Sequence, residues 1–272
     1  MLSFPNIKIN LGLRVTQKRS DGFHQLETVF FPVAWHDALE ILPSRELNLH
    51  VTGNAIPGPP EQNLCIKAWH LLHRDYPQLE PVDIYLHKTI PAGAGLGGGS
   101  SNAAFMLKAL NRLFQLGIST TQLEQYALEL GSDCPFFIQN QPVFATGRGE
   151  IFSPVQCNLQ GYHIVLVNPG IHVPTGWAFA QLTPRPAEPG WQQLLQQPVS
   201  QWQALGLIND FEAPVIEQYP IMQEVKTTLL EMGADYVAMS GSGSTFFGIF
   251  AQQPPSLQVF EAKGMIVKCV QL

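Results

Sequence analysis

Charge is what this sequence has least of. Of its 272 residues only 13% are Asp, Glu, Lys or Arg, and the net charge is −6. No long basic run occurs, so the electrostatic footprint of a nucleic-acid binder is missing. An anionic ligand would have to be met by backbone donors and a few lysines. Cysteine is also scarce: Cys65, Cys134, Cys157 and Cys269 form no CxxC pair. That argues against a zinc or dithiol motif and predicts reduced, mostly buried thiols in a soluble cytoplasmic protein. His70 and His73 stand three apart on a predicted helix, but no acidic or cysteine ligand has matching spacing, so no metal site is expected. The opening MLSFPNIKINLGL has no basic n-region, long apolar core or small-residue cleavage site, so no signal peptide is expected. Residues 151–184 lack Asp, Glu, Lys and Arg, yet Pro154, Asn158, Gly161, Asn168, Pro169, Gly170 and Pro174 break the stretch, so no membrane span is expected either.

Apolar residues, by contrast, make up 45% of the chain. That is enough for a sizeable core in one large domain or two modest ones. Ile7, Ile9, Leu11, Leu13 and Val15 alternate with Lys8, Asn10, Gly12 and Arg14, a period-two pattern that predicts a half-buried strand. Asp21-Gly22 marks a turn, and FHQLETVFF returns as a second strand. Further strands are expected at ALEIL, LNLHV, VDIYLHKTI, YHIVLVNPG and near MIVKCVQL. Helices are expected at CIKAWHLLHRDY, from about 101 to 114, over TTQLEQYALEL, and from 220 to 232. The segment TPRPAEPGWQQLLQQPVSQWQ reads as a loop with some helix. No internal repeat is present. Strands and helices without regular βαβ alternation predict an α+β protein in two lobes, 1–155 and 156–272.

The densest signal is PAGAGLGGGSSNAA, residues 91–104. Gly93, Gly95 and Gly98 satisfy G-x-G-x-x-G, but no acidic residue follows at the spacing a dinucleotide-binding unit needs. A P-loop requires Gly-Lys-Ser/Thr, and Gly99 is followed by Ser100 and Ser101. No HRD or DFG triplet occurs, so the protein-kinase set is absent. A purely structural turn needs one or two glycines, not this many. Stripping side chains lets backbone N–H groups approach a ligand, and the helix that follows points its positive end there. A triphosphate is the natural occupant.

This loop resembles the nucleotide loop of the GHMP kinases. So do KINLGLRVTQKRSDGFHQLETVF, GSDCPFF, NPGIHVPTGWAF and MSGSGSTFFGIF, which together span both lobes. Within that superfamily the GLGGGSSNAA form is similar to the branch acting on a CDP-linked methylerythritol. The resemblance implies a two-lobed fold with the active site in the cleft between lobes. It also implies ATP-dependent phosphorylation of the acceptor's 2-hydroxyl, in non-mevalonate isoprenoid biosynthesis. Lys8 and Asp133 are the implied catalytic residues: Asp133 takes the hydroxyl proton, and Lys8 positions Asp133 and offsets charge on the transferring group. Taken alone, each has an ordinary reading, a solvated strand lysine and a turn aspartate. ATP is expected on Pro91, Ala92, Gly93, Ala94, Gly95, Leu96, Gly97, Gly98, Gly99, Ser100 and Ser101, with Lys88 near the nucleotide. Asn63, an N-cap by position, is expected near the adenine. Mg²⁺ would be carried mainly by the phosphates and water. Phe23 and His24 are expected at the cytosine, with Phe179 as the opposite ring and Trp177 as a weaker choice. Phe23 stands where the family usually has Tyr; stacking survives and any hydroxyl contact is lost. Asn10 and Thr175 are polar candidates on the substrate, and SGSGS at 240–244 is expected to close over the active centre. A mevalonate- or homoserine-type kinase and a non-catalytic nucleotide-binding regulator are the alternatives.

Overall fold

The computed structural model describes residues 1–187 and 190–272. The strands are β1 (Leu2–Ser3), β2 (Asn6–Lys18), β3 (His24–His36), β4 (Ala38–Pro43), β5 (Asn48–Gly53), β6 (Val82–Lys88), β7 (Val143–Thr146), β8 (Ile151–Pro154), β9 (His163–Asn168), β10 (Tyr236–Met239), β11 (Phe246–Phe250) and β12 (Ile266–Gln271). The helices are α1 (Leu64–Asp75), α2 (Gly98–Leu113), α3 (Thr120–Leu130), α4 (Phe136–Gln139), α5 (Thr175–Ala180), α6 (Glu212–Gln218), α7 (Ile221–Glu231) and α8 (Gln258–Glu261). Two compact units form, and they interleave along the chain. One holds Met1–Lys8, Trp35–Ala92 and Gly97–Gln141; the other holds Ile9–Ala34, Gly93–Leu96 and Pro142–Leu272. Period-two and period-3.6 patterns mark elements but carry no information about which element docks on which.

The first unit carries a four-stranded sheet in the order β1-β4-β6-β5. β4 runs antiparallel to β6, and β5 runs parallel to it. A parallel neighbour needs a crossover, and α1 supplies it. Asn63 starts that helix, its side chain accepting from the Cys65 N–H at 2.9 Å. Ile66, Trp69 and Leu72 are buried, the stripe the sequence pattern gives. α2 buries Ala103, Leu107 and Leu110 and packs against α1, α3 and α4. Ser119 and Gln122 close a reciprocal capping box at the start of α3. On the sheet, Leu39, Ile41, Ile84 and Leu86 face the core.

The second unit contains an antiparallel sheet in the order β10-β11-β9-β12. Met222, Val225 and Leu229 of α7 share a core with Val165, Val167, Val237 and Phe246. A third sheet runs β2-β3-β7-β8. β2 departs from its predicted half-burial: residues 6 to 13 are buried on both faces, Lys8 and Asn10 included. Alternation reports side-chain chemistry, and here buried polar partners occupy the polar face. The segment at 183–203 contains short 3-10 turns at Trp191–Gln196 and Val199–Gln201; its residues 188 and 189 lie outside the described part. Cys65 and Cys134 are buried, Cys157 is half-buried and Cys269 is exposed, and all are free thiols. Among the described residues no helix is long and apolar enough to cross a membrane.

Candidate active site

In the first unit Lys8 Nζ lies 3.3 Å from Asp133 Oδ2. The lysine side chain is 4% exposed and the carboxylate 34%, so the cation is sunk while the oxygens reach the surface. Asp133 sits in the turn between α3 and α4, closed by Cys134 N–H donating to Gly131 O at 3.1 Å. Just upstream of Lys8, Asn6 and Asn140 exchange amide hydrogen bonds of 2.7 and 3.1 Å. Those bonds tie the start of β2 to the end of α4 and so fix both members of the pair.

The glycine loop leads into α2, which starts at Gly98, three residues earlier than expected. Gly97 caps it in left-handed geometry with no side-chain cap, and no acidic residue occupies the first turn. The first intrahelical bond is Ser101 N–H to Gly97 O, 2.8 Å. The Gly98, Gly99 and Ser100 amides precede it and have no partner within the helix. They form an uncompensated positive end, a fit for phosphate. A Cβ on Gly99 would meet nothing within 4 Å among the described residues, so this residue faces open space. Among the described residues Ser101 Oγ is buried without a partner, while Ser100 is hydrogen-bonded to the Cys134 thiol, which burial pushes up to about 12. The donor set of amides and hydroxyls suits a nucleotide triphosphate that carries its own Mg²⁺. Among the described residues no cluster of His, Cys, Asp and Glu could hold a metal ion.

Gly95 has a different duty. In the second unit a Cβ there would lie 2.0 Å from Ser240 O, and φ is +78°. Ser240 Oγ donates to Gly95 O at 2.8 Å. Asn10, 1% exposed, donates to Thr28 Oγ1 and accepts from Gly241 N–H, each at 2.9 Å. Asn10 thus holds the 240–244 loop. Thr175, exposed at the start of α5, contacts Ser242 Oγ at 3.1 Å. Asn209, which the sequence did not mark, donates to Met239 O and Gly241 O.

The aromatic candidates make ring contacts of their own. His24 stacks on Phe179 at 4.6 Å between centroids and 16° between planes, and Phe179 meets Phe211 edge-on. Phe23 is 48% exposed, so it is not core. The Arg148 guanidinium covers its ring at 4.5 Å. Burial, with Lys18 adding repulsion, holds the His24 pKa below its ordinary value. Trp177 packs edge-on against Tyr219.

The N-terminal GHMP kinase domain model matches residues 63–148 and the C-terminal model matches 193–262. A 4-diphosphocytidyl-2-C-methyl-D-erythritol kinase of Bacteroides fragilis is 51% identical over 257 residues, 93% of each chain. One from Cytophaga hutchinsonii is 48% identical over 271 residues, 99% of each. The chain belongs to the 4-diphosphocytidyl-2-C-methyl-D-erythritol kinase family. A crystal structure of a 4-(cytidine 5'-diphospho)-2C-methyl-D-erythritol kinase matches with a TM-score of 0.81 and 33% identity, covering 99% of this chain and 98% of that one. A homoserine kinase from Cytophaga hutchinsonii matches with a TM-score of 0.65 at 19% identity, over 97% and 93% of the two chains, which is a likeness of fold. The α+β GHMP kinase fold is thereby established.

Within this kinase, Lys88 is not the exposed strand end its position allows, nor is its amino group turned outward. It is 4% exposed and ion-paired with Asp37, itself 1% exposed. Asn102 Oδ1 accepts from Lys88 Nζ at 2.9 Å, and Asp37 also accepts from Asn102 Nδ2, Thr89 N–H and Ile90 N–H. A Cβ on Gly98 would come within 3.5 Å of Lys88 Nζ, so this network lies beneath the start of α2. Asp37 gave no sequence signal, because its partners are 51 to 65 residues away. Replacing Asp37 with Ala strands a buried ammonium and is expected to cost roughly 3–5 kcal/mol, read by denaturant unfolding. Unchanged stability would mean that the network does not support the helix start.

Proposed function

We infer that the chain transfers the γ-phosphoryl group of ATP to the 2-hydroxyl of 4-diphosphocytidyl-2-C-methyl-D-erythritol. The observation that carries this reading is the Asp133 carboxylate, one-third exposed and held by a buried Lys8, in a member of that kinase family. Bound ATP and Mg²⁺ supply the phosphoryl group and neutralise charge on it. The protein's contribution is positioning and electrostatics, since phosphoryl transfer passes through a loose transition state. Asp133 accepts the proton of the attacking hydroxyl. Lys8 orients that carboxylate and faces the charge that develops on the transferring oxygens. The amides of Gly98, Gly99 and Ser100, with the Ser100 hydroxyl, hold the phosphates. Asn63 has its cap role and stands near the adenine in this reading. Lys88 supports the loop from beneath.

Phe23, His24 and Phe179 hold the cytidine end. The exposed face of Phe23 supports a stacking role, and the His24–Phe179 stack presents a preformed aromatic surface. Arg148 joins this group through Phe23. Buried free thiols accord with a cytoplasmic enzyme. Phe23→Ala is expected to raise the KM for the CDP-linked substrate about 10-fold or more, the scale of one base–aromatic stack. The KM for ATP should stay within about twofold of wild type on the same mass-action scale. Equal changes in both would assign Phe23 a structural role only. The reading as a whole is tested by coupled ADP release with the CDP-linked methylerythritol, mevalonate and homoserine offered in parallel. Turnover with the first alone supports it, and turnover with either of the others instead contradicts it.

A further inference from the structure

His172 lies outside every role given so far. It sits between β9 and α5, and both its neighbours are anchored: Ser244 Oγ donates to Ile171 O at 2.5 Å, and Val173 is buried. Asn168, at the end of β9, bonds Ser244, Thr245 and the Gly170 N–H. Thr245 N–H donates to Ala94 O at 3.3 Å. The backbone around His172 is therefore pinned, through the 240–245 segment, to the start of the glycine loop. The exposed imidazole projects onto that start. A Cβ on Gly93, where φ is +65°, would lie 3.2 Å from His172 Nδ1. Among the described residues the ring makes no hydrogen bond or ion pair.

We propose that His172 is a nucleotide-binding residue, its imidazole donating a hydrogen bond to an oxygen of the donor nucleotide held by the glycine loop. The geometry favours the donor over the acceptor, because the ring abuts Gly93 while Thr175 and Phe179 lie further along, on α5. The proposal rests on the glycine loop holding ATP, as the functional reading has it. The test is calorimetric titration of the full chain with a non-hydrolysable ATP analogue, beside steady-state kinetics with both substrates. His172→Ala is expected to weaken analogue binding and raise the KM for ATP about tenfold, the low end for a hydrogen bond to a charged group. The KM for the CDP-linked substrate and the melting temperature should not move. His172→Gln, which keeps an N–H donor, should recover most of the affinity. Unchanged analogue affinity in His172→Ala would overturn the proposal, as would equal losses for both substrates with a lower melting temperature. Analogue binding by wild type without turnover of the CDP-linked substrate would overturn the functional reading and leave His172 to be judged by calorimetry alone.

Discussion

Asp133→Asn is expected to lower kcat by about 10²–10⁴-fold, the span that general-base catalysis supplies. The substitution keeps the shape of the side chain and the turn around it, and removes only the capacity to take a proton. Asp133 is one-third exposed and lies beside a lysine that is 4% exposed, so the neutral amide leaves that ammonium with a weaker neighbour but opens no cavity. Melting temperature and ATP affinity should stay near wild type. Lys8→Met keeps the apolar stem, which passes within 3.2 Å of where a Gly97 Cβ would be, and should also depress kcat more than either KM. Stopped assays with purified, folded variants decide the matter. Near-normal turnover in Asp133→Asn would remove this residue from the chemistry.

Gly95→Ala is expected to damage fold and function together. The added methyl carbon would lie 2.0 Å from Ser240 O and 3.0 Å from Gly243 O, both backbone atoms that cannot swing away. The left-handed φ of +78° adds about 1–2 kcal/mol for any residue with a Cβ. Forcing the two loops apart adds about 1–3 kcal/mol more. For a chain of this size the sum lowers the melting temperature by several degrees, at roughly 2–4 °C per kcal/mol. It also displaces the Ser240 and Gly241 contacts that Asn10 and Gly95 make, so ATP turnover should fall with stability. Gly99→Ala is the contrast. Nothing lies within 4 Å of its Cβ and the residue is already helical. Its fold should be as stable or gain about 0.5–1 kcal/mol, and any loss should appear in the KM for ATP. Equal melting temperatures for Gly95→Ala and wild type would contradict the loop-to-loop contact.

The glycine-rich stretch stands out in the sequence because a run of one residue type is visible without any long-range information. What could not be read was the division of labour inside it. Gly95 is glycine because Ser240, 145 residues away, needs the space; Gly99 faces open space. Lys8 was legible only by resemblance. Its place on a polar face suggested a solvated lysine, and long-range contacts bury it. Asp37 and Asn209 carried no pattern at all, because a buried polar network leaves no periodicity. The local elements were clear from spacing, as at α1 and α7, where apolar residues recur every three or four positions. The interleaving of the two units was not, since strand alternation is blind to sheet order. The resemblance implies stacking for Phe23, but its cover by Arg148 and the His24–Phe179 stack depend on side-chain placement across more than a hundred residues.

The reaction is defined by which oxygen of which molecule receives the phosphate. A single ³¹P and ¹³C NMR spectrum of the reaction mixture, with ATP and the CDP-linked methylerythritol supplied to wild-type protein, tests it directly. The expected result is ADP together with a new phosphomonoester coupled to carbon 2 of the methylerythritol. Phosphate on another hydroxyl, or ADP formed with the acceptor unchanged, would contradict it.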